Sequence, residues 1–435
     1  MLGIMRALLW LLLLAATLLA SEPSDAAIAA RKARRVRLAE AIGADFAVLL
    51  GQPLTDVLQP PQEGHLLYLT GVEEPDAFLL VAGAKAKPIA MKAGDATVHV
   101  REVLFLRDAP ETMARFFGLR LRPDGETARA LGVELARAAP AGGAGLARQL
   151  ATLLPKGAGM RLPRYAGPDG VTLRPMREEL LAGLARERPD LKIHELDELL
   201  GTHRAVKDAV ELAALRRALE ITAEALREAI PRIRPGVLEA EIHGVLLASV
   251  RARGAWPAFP FVVGSGANSA IPHHFRNDGT LRDGDLLVLD MGAAVARYAA
   301  DVTRTVPVNG RFTPRQREVY DVVLRAQLAA IAEARPGATF GDLDRAARRV
   351  IADAKLGRYF IHATCHHVGL DVHDPGPTRL EPGMTFTVEP GVYLGDEGFG
   401  IRIEDVLVVT QKGAEVLSSA TPKEADAIEG WMRGE

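Results

Sequence analysis

The sequence has little cysteine, little net charge and no repetition, and each shortage removes a class of protein. Its single cysteine, Cys365, cannot form an intramolecular disulfide, so cysteine usage does not reveal the compartment. A formal net charge of −2 gives no electrostatic case for binding nucleic acid or an anionic membrane. No segment repeats at a solenoid period. With 48% hydrophobic and 25% charged residues, the 435-residue chain is instead globular and long enough for two domains or one large one.

One local cluster of positive charge does occur. Its basic residues are spaced with Val36, Leu38 and Ile42 in a way that predicts the solvated face of an amphipathic helix rather than a nucleic-acid site. The basic residues are Arg31, Lys32, Arg34, Arg35 and Arg37.

The N-terminus carries the one long apolar run. Residues 7–20 follow Arg6 without a break, but they are short for a membrane span of ~20 residues. Small residues follow the run, so residues 1–26 are predicted to be a signal peptide and the protein to be exported, periplasmic or secreted. An uncleaved membrane anchor is the alternative, and no stable membrane span is expected.

The remaining chain is predicted to be α+β, with a mixed α/β domain over residues 28–200 and a larger domain over 205–430. A linker is expected at 200–202. The first domain is predicted to have strands at 46–50, 66–70, 77–83 and 97–106 and helices at 110–117 and 144–154. The second is predicted to have helices at 210–230, 237–253, 314–334 and 340–355, followed by strands through 358–410.

The second domain holds four carboxylates and an imidazole that suit a metal site. Such an oxygen-rich set favours hard or borderline divalent cations, with Mn(II) preferred and Co(II) or Zn(II) possible. Four negative charges balance two divalent ions, and a bridging hydroxide could then act as nucleophile. The residues are Asp290, Asp301, His366, Glu389 and Glu404.

Each of these residues alone has an ordinary structural explanation. Asp290 could cap a turn after its apolar strand, and Arg402 with Glu404 could form a surface ladder. The histidines favour the metal site, because six of the 11 fall in two short windows beside these acids. They are His273, His274, His362, His366, His367 and His373.

The sequence around these residues resembles a family. The motifs IPHHFRN, LDMGA, YAADVTRT, HATCHHVGLDVHD, LEPGMTFTVEPGVY and GIRIED resemble the metallopeptidases of the pita-bread fold, which include methionine aminopeptidase, prolidase and aminopeptidase P. The match covers about 205–430. Residues 68–71 with Glu74 and Pro75 resemble the N-terminal domain of aminopeptidase P and prolidase.

The resemblance implies a role for each matched position. Asp290 would bind one metal ion and His366 the second, while Asp301, Glu389 and Glu404 would bridge or complete the pair. Glu389 would also take a proton from water. The other implied positions are His273 as proton shuttle, His362 and His373 in the substrate pocket, and Tyr393 and Arg402 as supporting residues.

The resemblance also implies the substrate. It predicts a metal-dependent Xaa-Pro aminopeptidase, because only residues 375–381 separate His373-Asp374 from Pro382, where prolidases commonly carry a long insertion. Prolidase activity on dipeptides is the alternative, and a metal-free binding module would require missing ligands. Family members imply a homo-oligomer, a dimer or tetramer. His274, His367, Ala300 and Cys365 depart from the usual pattern and leave specificity open.

Overall fold

The structure, a computed structural model, describes residues 24–54, 62–119, 121–165 and 173–434. Most of the predicted signal peptide, residues 1–23, lies outside this part. Within the described residues, every helix is too short or too polar to cross a membrane. The chain divides into two compact units, the first ending at Asp197 and the second beginning at Glu198.

The first unit is built on a six-stranded sheet of order β6-β5-β2-β1-β7-β8, with a separate β3-β4 hairpin. Its strands are β1 Phe46–Leu50, β2 Phe78–Ala82, β3 Ile89–Ala93, β4 Ala96–Val100, β5 Glu102–Leu106, β6 Ala136–Ala138, β7 Gly159–Leu162 and β8 Lys192–Glu195. Its helices are α1 Asp25–Ile42, α2 Gly64–Thr70, α3 Glu111–Phe117, α4 Gly125–Leu131, α5 Gly142–Leu153 and α6 Leu173–Glu187. Apolar side chains of the sheet and of α5 and α6 form its core.

Three expectations for this unit were wrong. The predicted strand at 66–70 is helix α2, because the Glu63 side chain caps its first turn and Gly71 ends it at φ 72°. The predicted strand at 97–106 is two strands in different sheets. Arg34 and Arg35 are buried rather than solvated, since both donate to backbone carbonyls, and Arg35 also pairs with Glu102 at 2.7 Å.

The second unit combines long helices with several short sheets around its own core. Its helices are α8 Ala209–Ala229, α9 Glu239–Ala252, α10 Pro314–Glu333, α11 Phe340–Asp353 and α12 Ala425–Met432, and α7 Asp197–Ala205 begins at the boundary. Its strands are β9 Trp256–Pro257, β10 Val262–Ser265, β11 Leu286–Met291, β12 Ala293–Val295, β13 Tyr298–Ala299, β14 Val302–Pro307, β15 Thr385–Val388, β16 Gly391–Leu394, β17 Phe399–Arg402, β18 Asp405–Val409 and β19 Ala414–Val416.

The predicted helices of this unit are confirmed, and α10 opens with the expected Thr313 and Gln316 capping box. The predicted linker at 200–202 was wrong, since these residues lie inside α7. Strands do not fill 358–410 either, because β15 begins only at Thr385 and the preceding histidine-rich segment is irregular. Side chains of this irregular segment, among them His362, His366 and His373, line the cavity described below.

Two antiparallel pairings position the acidic side chains. Strand β11 lies between β10 and β14, with Asp290 opposite Thr303, and Asp301 directly precedes β14. Gly292 allows the backbone at Ala300 to approach β11 closely, because a Cβ at position 292 would lie 1.7 Å from the Ala300 carbonyl oxygen. Strand β15 pairs with β18, so Glu389 and Glu404 lie at adjoining ends of that pair.

Candidate metal and catalytic site

One cavity of about 550 Å³ in the second unit collects all the predicted site residues. They reach it from six strands or the residues next to them, from the irregular segment before β15 and from the loop after β10. The residues are His273, Asp290, Asp301, His362, His366, His373, Glu389, Tyr393, Arg402 and Glu404. Residues separated by more than 130 positions thus share one concave site.

A chain of hydrogen bonds runs along one side of the cavity. Arg402 donates to Asp290 Oδ2 at 2.6 Å and to the Tyr393 hydroxyl at 2.8 Å. Tyr393 in turn lies 2.8 Å from His362 Nε2, whose Nδ1 lies 2.8 Å from the Ala363 carbonyl oxygen. Since Nδ1–H must donate to that carbonyl, Nε2 is assigned as the acceptor of the tyrosine proton.

The contact between Tyr393 and His362 requires glycine at position 391, in the turn after Glu389. A Cβ on Gly391 would lie 2.6 Å from the Tyr393 hydroxyl and 3.1 Å from His362 Nε2. A larger residue would therefore separate the tyrosine from the histidine.

The other carboxylates surround His366. His366 Nε2 lies 3.3 Å from Glu389 Oε1 and 3.5 Å from Asp301 Oδ2. Thr303 donates its hydroxyl to Glu404 Oε2 at 2.7 Å and accepts from Arg402 at 3.1 Å. Arg402 and Glu404 are 3% and 2% exposed, which excludes a surface ladder.

Burial and mutual repulsion make it unfavourable for these carboxyls to be ionised without positive charge nearby. Burial, reinforced by Glu404 and other neighbouring carboxylates, holds the pKa of Asp301 and that of Glu389 well above their usual range. Burial and Asp290 raise the pKa of Glu404 to about 8. Such carboxyls ionise readily only when cations lie beside them.

The donor set fits divalent metal ions. Asp290 Oδ1 is buried and has no hydrogen-bond partner among the described residues, so it retains a free ligand atom. Ligand atoms of Asp301, His366 and Glu404 lie within 4.8 Å of one another. His366 Nδ1 lies 2.9 Å from the His367 carbonyl, which leaves Nε2 as the ligand atom, and burial lowers the His366 pKa to about 4.

The remaining wall is apolar and was missed by the sequence reasoning. The exposed His273 ring stacks on Phe275 at 5.4 Å, and the His373 ring lies 4.3 Å from that of His366. Phe275 follows the predicted histidine motif, which could have indicated it. The other apolar lining residues are Phe259, Pro272, Ile361, Ala363, Cys365 and Val372, of which only Phe259 and Ile361 lie outside the quoted motifs.

The sequence matches the models of two known protein families, and one of them covers the residues of this site. Residues 213–411 match the model of metallopeptidase family M24, and residues 32–141 match the aminopeptidase P N-terminal domain.

Individual relatives extend the likeness over most of the chain. The Xaa-Pro aminopeptidase of Escherichia coli K12 is 34% identical, covering 85% of this chain and 88% of that protein. An Xaa-Pro dipeptidase of Pyrococcus furiosus is 37% identical but covers 54% of this chain and 69% of that protein.

Solved structures give the same result. E. coli aminopeptidase P with the inhibitor Pro-Leu superposes with a TM-score of 0.80 and 31% identity, covering 95% of this chain and 99% of that one. Proline aminopeptidase P II of Yersinia pestis reaches 0.78 at 31% identity, covering 94% and 100%. The expected pita-bread catalytic fold with a smaller preceding α/β domain is confirmed. The chain belongs to metallopeptidase family M24 and carries the aminopeptidase P N-terminal domain in front of the peptidase domain.

Proposed function

We propose that this protein is a metal-dependent Xaa-Pro aminopeptidase, which removes the N-terminal residue from peptides with proline in second position. The observation that carries the proposal is the complete acidic and histidine set around one cavity. The relatives that match it over most of their length support the substrate class, because they are named Xaa-Pro aminopeptidases.

The cavity residues would hold two divalent ions through Asp290, Asp301, His366, Glu389 and Glu404. Bound ions would activate water and polarise the scissile carbonyl. Mn(II) is the proposed metal, since four of the five side chains offer carboxylate oxygens.

The protein's own groups would handle protons and orientation. Glu389 would take the proton from water, as the family resemblance implies, and the neighbouring ions would keep its carboxylate ionised beforehand. Of the two pocket histidines, His373 would donate a hydrogen bond to the developing oxyanion, because both ring nitrogens of His362 already bond Ala363 and Tyr393. His273 would carry protons at the exposed edge. The Xaa-Pro amide has no N–H, so recognition must rest on shape, which the apolar wall supplies.

A prolidase remains the second candidate, supported by the P. furiosus relative. The short segment at 375–381 favours the aminopeptidase, because it lacks the long insertion that would close the pocket around a dipeptide. We further propose that residues 1–26 direct export as a signal peptide and that the enzyme works as a homo-oligomer, as the family resemblance implies.

The test is hydrolysis by the purified mature protein with added Mn(II). We expect cleavage of Xaa-Pro-Yaa peptides and little cleavage of Xaa-Pro dipeptides or Met-Ala peptides. Cleavage of dipeptides alone would replace the proposal by prolidase, and no hydrolysis of any peptide would end the enzyme proposal.

Ligand variants test the metal site separately. Asp301→Ala and His366→Ala should each abolish metal-dependent activity while the protein stays folded by circular dichroism. Glu415→Gln is a matched control, because this carboxylate is half exposed and its ion pair, within the described part of the chain, is with surface Arg216. Retained activity in either ligand variant would show that the assignment of ligands is wrong.

A further inference from the structure

The loop between β10 and β11 carries His273 to the cavity, and one buried carboxylate lies beneath it. Glu239, at the start of α9, is 0% exposed. It lies 34 positions before His273 and does not line the cavity. The carboxylate nevertheless contacts both ends of the segment in which His273 lies.

Every group within hydrogen-bond distance of Glu239 is a donor, and one further carboxylate, that of the exposed Asp278, lies within 4.8 Å of it. Its Oε1 accepts from the Ser265 amide at 2.6 Å and the Ser265 hydroxyl at 2.8 Å, and its Oε2 accepts from the Gly279 amide at 2.7 Å. The Asn268 amide group reaches both oxygens, at 3.1 and 3.2 Å, and His274 Nε2 lies 3.1 Å from Oε2. The exposed Asp278 lies 3.6 Å from the same histidine nitrogen.

These bonds fix the backbone immediately around His273. Ser265 and Asn268 precede it, His274 follows it, and Gly279 lies further along the same loop. A Cβ on Gly279 would lie 2.6 Å from Glu239 Oε1, so the backbone approaches the carboxylate as closely as glycine permits. The His273 ring itself is exposed and stacks on Phe275, so its position depends on the loop beneath it.

We propose that Glu239 is a positioning residue that holds His273, with Phe275, at the cavity by organising the loop over residues 264–279. This inference rests on the proposed peptidase function only for its kinetic consequence. The ordering of the loop by Glu239 can be measured without any substrate.

A glutamine cannot replace this carboxylate. Its amide nitrogen would face the N–H groups of Ser265 or of Gly279, and two donors cannot bond each other. Glu239→Gln therefore loosens the loop while leaving the shape of the side chain unchanged. The five metal ligands lie on other segments, so metal content should be unchanged.

The closing experiment combines exchange with a double-mutant cycle. Hydrogen–deuterium exchange over 264–279 should accelerate in Glu239→Gln, and kcat on an Xaa-Pro-Yaa peptide should fall roughly tenfold to 100-fold. In a His273→Ala background the same substitution should have little further effect on kcat. Asn268→Ala removes one donor and should give a smaller loss in the same cycle, which covers the case that Glu239→Gln does not fold.

Glu211→Gln is the matched control. Glu211 is 1% exposed, also lies in the first turn of a helix, and accepts from Tyr298 at 2.9 Å and from the Asp208 amide at 2.9 Å. It should lower stability without accelerating exchange at 264–279. Unchanged exchange there in Glu239→Gln, or an equal loss of kcat with and without His273, would overturn the inference. If the unmodified enzyme cleaves no Xaa-Pro peptide, the proposed function fails, while the exchange result still decides the role of Glu239.

Discussion

At the scale of single residues, the proposed metal ligands lower the stability of the fold near neutral pH when no metal is bound. Burial and Asp290 raise the pKa of Glu404 to about 8, above its ordinary 4.5. A raised carboxyl pKa stabilises the fold at low pH, and this contribution is lost as pH rises through the folded pKa. Burial lowers the pKa of His362 and of His366 to about 4, which opposes this trend below about pH 6.5. The carboxyl effect is therefore separable between about pH 6.5 and 8.

We predict that the metal-free protein loses stability over that interval, by up to about 1.4 kcal/mol per pH unit for each proton released. Glu404→Gln should flatten the slope, because the amide cannot ionise and no longer repels Asp290. Urea unfolding at several pH values in the presence of a chelator measures it. A slope that stays the same in Glu404→Gln would mean that Glu404 does not titrate in this range.

The site residues were predictable one by one, whereas their neighbours were not. Motifs such as TVEPGVY and GIRIED single out Glu389 and Glu404 from the sequence alone. Glu239 has no such signal, because a buried glutamate in a helical pattern is an ordinary residue. Thr303 lies in the quoted motif YAADVTRT, but nothing in the sequence shows that its hydroxyl bonds Glu404. Glu239 bonds Ser265, 26 positions away, and Thr303 bonds Glu404, 101 positions away. Only the folded chain shows these contacts.

At the scale of elements, the segment from His366 to Asp374 has no regular structure to hold it. A buried ion cluster does so instead: Asp374 pairs with Arg204 and, at 3.1 Å, with Lys207. Arg204 also bonds Asp371 at 2.6 Å. The cluster therefore fixes the end of the segment next to His373.

Breaking this cluster should be costly. Asp374→Asn leaves two buried cations without their shared carboxylate, so we expect the free energy of unfolding to fall by about 3–5 kcal/mol. Denaturant unfolding followed through the second unit measures the change. Glu415→Gln, which removes a half-exposed pair with Arg216, should change it by less than about 1 kcal/mol. Equal effects of the two variants would contradict a structural role for the cluster.

The errors in element prediction have a common cause. The sequence LLYLT has no alternation of apolar and polar residues, and every one of its residues is buried, so periodicity could not distinguish strand from helix. The segment is a helix because Glu63 caps its first turn and Gly71 ends it. By contrast, the Thr313 and Pro314 signal for α10 was local and unambiguous, and that helix begins where it was predicted.

At the scale of the whole molecule, the two units have separate hydrophobic cores. One core contains residues between Phe46 and Leu184, and the other contains residues between Ala205 and Ile428. All five proposed metal ligands belong to the second unit. Unfolding of the full chain should therefore depart from a single two-state transition.

Metal should act on only one of the transitions. At a free Mn(II) concentration 100 times its Kd, binding stabilises the second unit by about 2.7 kcal/mol, which corresponds to a rise in Tm of roughly 5–10 °C for a unit of this size. Calorimetry of the full-length mature protein with chelator and with Mn(II) measures this shift. Asp301→Ala should show both transitions but no shift with metal, because a ligand is missing. If Mn(II) instead raises both transitions together, the two cores unfold as one cooperative body, and the metal stabilises the entire chain.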